Sequence, residues 1–152
     1  MNASARMRIT LATTLTIFGA CLPIAASGGA PIQTVALKAS RSDPGRTGQA
    51  ILVPRGAVTD IAVWFSSVPN DTTLPAHVYT YLYKGTCNAL PGTAAIALNR
   101  RVLVSQIWSS EAFRLTHTVQ MPIDALRQGG FALVLRTAPA DGNRVIYCGE
   151  VS

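Results

Sequence analysis

A chain of 152 residues that is 49% hydrophobic and only 13% charged has room for one folded domain and is too apolar to be a disordered tail. Its formal charge of +6 does not make it a nucleic-acid binder. Arg6 and Arg8 stand at the extreme N-terminus, the remaining eleven basic residues are scattered against seven acidic ones, and no basic run is interleaved with aromatics.

The first 26 residues read as a secretory leader. Arg6 and Arg8 give a positive start, residues 9–24 carry no charge, and the small residues Ala25, Ala26 and Ser27 follow. The apolar run is short against the roughly 20 residues of a membrane span, and Pro23 interrupts its end. Cleavage is expected near Ala26–Ser27, leaving residues 27–152 as the domain. Lipidation at Cys21, after Phe18-Gly19-Ala20, is the competing outcome and would tie the protein to a membrane; Phe18 fits a lipoprotein box poorly.

The rest of the chain breaks into short alternating runs separated by Gly, Pro, Asn and Asp, the pattern of an all-β domain. Strands are expected over 33–40, with Val35 and Leu37 inward, then over 49–54, and over 60–67 with Ile61, Val63 and Phe65 on one face. Between the first two, Ser42-Asp43-Pro44-Gly45 is a turn in which Pro fixes φ and Gly supplies the positive φ that follows. Further strands are expected over 76–83, 101–108, 113–121 and 131–137, with one helical turn at 123–128. Residues 144–148 return as a hairpin across 138–143. About eight strands make a sandwich or a barrel.

Once the leader is removed, Cys87 and Cys148 remain. Two cysteines in an oxidising compartment pair, and neither has a neighbour at zinc-ligand spacing, so a structural disulfide closing a loop of about 60 residues is expected.

At these two cysteines the sequence resembles copper/zinc superoxide dismutase-like domains. The segment from Ala76-His77-Val78-Tyr79-Thr80-Tyr81-Leu82-Tyr83 to Gly85-Thr86-Cys87 is similar to their histidine-rich strand and cysteine loop. Tyr147-Cys148-Gly149-Glu150-Val151 is similar to their last strand. The resemblance spans most of residues 27–152 and implies a Greek-key β-sandwich with a Cys87–Cys148 bridge. It does not carry the metal ligands over. His77 could occupy one ligand position, but Tyr79 stands two residues on. With the alignment anchored instead on Gly85-Thr86-Cys87, the expected histidines fall on Tyr81 and Tyr83, the late one on about Arg136, and no cluster of His and Asp follows Cys87. With two histidines in the whole chain, imidazole ligands are too few for such a centre. No metal or cofactor and no catalytic residue is therefore expected.

The candidate binding face is His77, Tyr79, Tyr81 and Tyr83, which alternate on one side of a strand at about 6.6 Å spacing. Cross-strand aromatic packing is the other reading of the same stripe. His117 shares a face with Phe113, Leu115, Val119 and Met121, as a hydrogen-bonded core histidine does. Trp64 and Trp108 read as packing. Arg100 and Arg101 point to opposite faces if extended and then make no patch. No Gly-x-Ser-x-Gly elbow or phosphate-binding glycine loop is present, and Asn70-Asp71-Thr72 is a glycosylation sequon. The expectation is an exported, non-catalytic domain that binds or packs against an unknown envelope protein or ligand. The alternative is a periplasmic copper-binding or superoxide dismutase-like redox protein.

Overall fold

The structure, a computed structural model, describes residues 30–41, 45–106 and 112–152. The leader, Cys21, the Ser42-Asp43-Pro44 part of the first turn and Trp108 lie outside the described residues. The strands are β1 (Gln33–Ala39), β2 (Thr47–Arg55), β3 (Val58–Phe65), β4 (Val78–Lys84), β5 (Ile96–Ala97), β6 (Ser105–Gln106), β7 (Phe113–Val119), β8 (Phe131–Thr137) and β9 (Val145–Val151), with one helix, α1 (Ile123–Gln128). All pairings are antiparallel, in the order β5-β4-β8-β9-β1-β2-β3-β7-β6.

Alternation in the sequence becomes a buried face on each strand. Val35 and Leu37 on β1, and Ile61, Val63 and Phe65 on β3, are at most 3% exposed, and their neighbours along the chain are not buried to that degree. A strand hydrophobic on alternate residues must bury that side against something, and here every long strand contributes to one core. The ring of Phe65 stacks on Phe113 at 5.6 Å and meets Tyr147 at 5.5 Å, closing one end of that core. Tyr147 is buried with its hydroxyl donating to the Ser67 carbonyl at 3.0 Å. Helix α1 is short, sets Asp124 in its first turn and Arg127 in its last, and buries Ile123 and Leu126.

The expected all-β class with one disulfide is observed. The hydrogen bonds form a single sheet, because β9 pairs with β1 through Lys38–Cys148 and Ala39–Tyr147. The sheet curls until its two ends meet. Residues 102–104 pair with the chain just before β4: the Val78 amide donates to the Val102 carbonyl at 2.7 Å and the Val104 amide to the Ala76 carbonyl at 3.2 Å. Ser105 and Gln106 then pair with β7.

At the β1–β9 join the backbones approach closely, and glycine is required there. A Cβ on Gly149 would stand 2.5 Å from the Ala36 carbonyl oxygen and 2.7 Å from the Val35 Cγ1. Backbone cannot retreat as a flexible side-chain tip can. Gly149→Ala is therefore expected to cost about 1–3 kcal/mol, read as a lower urea midpoint with the same slope.

Candidate functional site

Two regions bear on function, and the first is the tyrosine stripe. Its four residues occupy the outer side of β4 and the residue before it, as alternation requires, while Ala76, Val78, Thr80 and Leu82 face the core. The stripe is not uniformly open. Tyr83 is 5% exposed and joins Ala132, Val134 and Cys148 in a second, smaller apolar cluster, with Tyr81, Cys87, Leu90 and Ala94 packed against it. The rings of Tyr81 and Tyr83 lie 6.1 Å apart. Cross-strand packing thus accounts for the C-terminal half of the stripe, and His77 and Tyr79 are the half-buried remainder. This second cluster also explains why β8 is buried on both faces from Phe131 to Leu135.

The disulfide belongs to the same region. Cys87 and Cys148 are joined across 61 residues, which pins the loop after β4 to β9. The Cys87 amide also donates to the Glu150 carboxylate at 3.1 Å. Arg136 sits on β8 opposite Tyr79; its guanidinium lies 5.6 Å from the Tyr83 ring centre and donates to the Asn143 carbonyl at 2.9 Å. Tyr81, Tyr83 and Arg136 are thus brought together as an aromatic–cation cluster. Among the described residues no group of three or more His, Cys, Asp or Glu is placed to hold a metal ion.

The second region is the seam where the sheet closes. β7 is paired along its whole length with β3, but on its other edge only Phe113 and Arg114 have strand partners among the described residues. From Leu115 onward the segment 97–101 stands opposite instead, leaving a notch of about 720 Å³. Its lining includes Arg55, Asp60, Arg100, Arg101, Arg114 and Thr116. Asp60 accepts from the Thr118 hydroxyl at 2.6 Å and from Arg55 at 2.9 Å, and these two contacts hold its carboxyl below the usual carboxylate range.

His117 lines the same notch, 8% exposed and on the inner side of β7 with Leu115 and Val119. Desolvation lowers its pKa to about 4. The nearby Arg101 charge acts in the same direction, and a hydrogen bond with the Leu98 backbone opposes both. The imidazole is therefore neutral at physiological pH. Its Nε2 has no partner among the described residues, nor does the Thr80 hydroxyl, whose residue accepts the Leu98 amide at 2.8 Å. His77 and His117 face opposite sides of the sheet.

Sequence reasoning placed His117 correctly as a core residue and missed the notch around it. The reason is local. Arg100 and Arg101 lie in a turn and an irregular stretch rather than a strand, so the two-residue alternation that would send them to opposite faces does not apply. Both line the notch. The only legible signal was their adjacency.

No family model matches this sequence, and no curated protein or solved structure matches it. Fold and disulfide together define an all-β, disulfide-stapled domain of the kind that belongs to a non-cytoplasmic compartment. No helix among the described residues is long and apolar enough to cross a membrane.

Proposed function

We propose that this protein is an exported, non-catalytic β-domain of the bacterial envelope or medium. In this reading it binds or packs against another envelope component, on a superoxide dismutase-like scaffold that has lost its metal ligands. The observation that carries the reading is the cluster beside the disulfide. The cysteines that the resemblance pairs are bonded, while the positions it gives to ligands hold Tyr81, Tyr83 and the permanently charged Arg136. A phenol at neutral pH is a poor ligand, and a fixed guanidinium repels a cation.

The leader, with cleavage near Ala26–Ser27, supplies the route to an oxidising compartment. Elemental analysis and thiol counting on protein recovered from outside the cytoplasm test the whole reading. The expected result is no free thiol at Cys87 or Cys148 and copper and zinc far below one per chain. One copper or zinc per chain, lost in His77→Ala, would replace this reading with that of a copper-binding or superoxide dismutase-like redox protein. The intact mass of the same sample separates cleavage near Ser27 from lipidation at Cys21.

A further inference from the structure

The notch on the seam concentrates positive charge that the carboxylates among the described residues leave largely unpaired. Four of the thirteen basic residues, Arg55, Arg100, Arg101 and Arg114, line one concavity. The single carboxylate among the described lining residues, Asp60, is committed to Arg55. Of the other three, Arg114 lies 5.6 Å from the Trp64 ring centre and Arg101 reaches the Thr116 hydroxyl at 3.4 Å; none forms an ion pair with a described residue. Like charges held together lower the stability of a fold, and an anion between them removes that penalty.

The rest of the lining suits a polar body. Thr116, Thr118 and Gln120 offer hydroxyl and amide groups, and the buried His117 carries a ring nitrogen without a partner. The volume of about 720 Å³ is that of a small-molecule site and far exceeds what one oxyanion fills.

We propose that the seam notch binds a phosphoester of a polar small molecule, a sugar phosphate in chemical class, with Arg100, Arg101 and Arg114 holding the phosphate. A phosphomonoester carries close to two negative charges at neutral pH and three acceptor oxygens, which matches three guanidinium groups without a carboxylate partner among the described residues better than a single carboxylate does. The site is carried by β3, β7 and the 97–101 segment. It stands independently of whether the tyrosine cluster ever held a metal: a metal-loaded protein that still binds the phosphoester would overturn the earlier proposal alone.

Calorimetric titration of the disulfide-bonded protein at low salt with glucose 6-phosphate, inorganic phosphate and glucose provides the test. Glucose 6-phosphate is expected to bind, inorganic phosphate to bind about tenfold more weakly, and glucose not to bind. Arg100→Gln/Arg101→Gln should weaken glucose 6-phosphate by at least about tenfold. The control pair Lys38→Gln/Arg127→Gln, of equal charge loss and outside the notch, should leave it unchanged. Arg114→Gln on β7 is a second, separately placed variant should the double variant not fold. No binding of either phosphate at millimolar concentration, or equal weakening in both pairs, overturns the site. Capture by phosphatidylglycerol vesicles without any glucose 6-phosphate binding assigns the charge to a membrane surface and overturns it equally.

Discussion

Cys148→Ser is expected to lower the free energy of unfolding by about 4 kcal/mol, and complete reduction of the native protein should do the same. The bridge joins residues 61 apart, and in the chain-entropy account a loop of that length removes about 4 kcal/mol of freedom from the unfolded ensemble. A domain of this size has about 5–15 kcal/mol to lose, so the shift is a large share of the total. The folded state adds a local consequence. Cys148 is 7% exposed beside Tyr83, Ala132 and Val134, and Cys87 holds the loop that packs Leu90 and Ala94 on that cluster. Without the bond the loop is held against β9 by the Cys87 amide contact to Glu150 and by the packing of Leu90 and Ala94 on the cluster around Cys148. Urea titrations with and without reductant measure the first effect, and limited proteolysis after Lys84 the second. Cys87→Ser and the double Cys→Ser variant should match Cys148→Ser, since each removes the same bond. A midpoint unmoved by full reduction would mean that packing alone holds the two segments.

Most of this fold was legible in the sequence, because the residues that determine it act locally. Alternation picked out the inward faces of β1 and β3, and the helical turn at 123–128 and the strand at 131–137 fall where they were expected. Gly45 has the positive φ that the first turn was read to need. The join of β9 to β1 and the meeting of the sheet's ends were not legible. Both depend on backbone hydrogen bonds between segments far apart in sequence, and no residue pattern records a partner. The short strand β5 escaped for a related reason: Ile96 and Ala97 are too brief a run to show a period, and it is pairing with Tyr81 and Leu82 that makes them a strand. The stretch expected to be a strand over 101–108 pairs at only a few described positions. Its chain serves two neighbours in turn, first the residues before β4 and then β7. That divided pairing opens the notch, so the feature of greatest chemical interest arises where the regular pattern fails.

Between pH 6.5 and 4 the protein should lose about 3 kcal/mol of stability, and His117→Leu should remove most of that dependence. The folded state holds the His117 pKa at about 4 against an ordinary 6.5, by burial first and by Arg101 second. Within that window the unfolded chain takes up a proton that the folded chain refuses. The contribution is therefore complete above pH 6.5, shrinks as pH falls, and bottoms out below 4. Asp60 and Asp71 act in a lower range. Hydrogen bonds from Thr118 and Arg55 to Asp60, and from Arg144 to Asp71, lower both pKa values below 3.8, so what they add is present above that pH and is lost only as pH falls further. The two effects thus separate along the pH axis. Leucine has nearly the volume of histidine but cannot replace its hydrogen bond with the buried Leu98 backbone, so at pH 7 His117→Leu should cost about 1–3 kcal/mol while flattening the pH dependence. A native protein whose urea midpoint is flat from pH 6.5 to 4, or a His117→Leu variant with the same slope as the parent, would show that the imidazole protonates without cost where it lies. In that event the seam admits far more water than its packing of Leu98, Leu115 and Val119 allows.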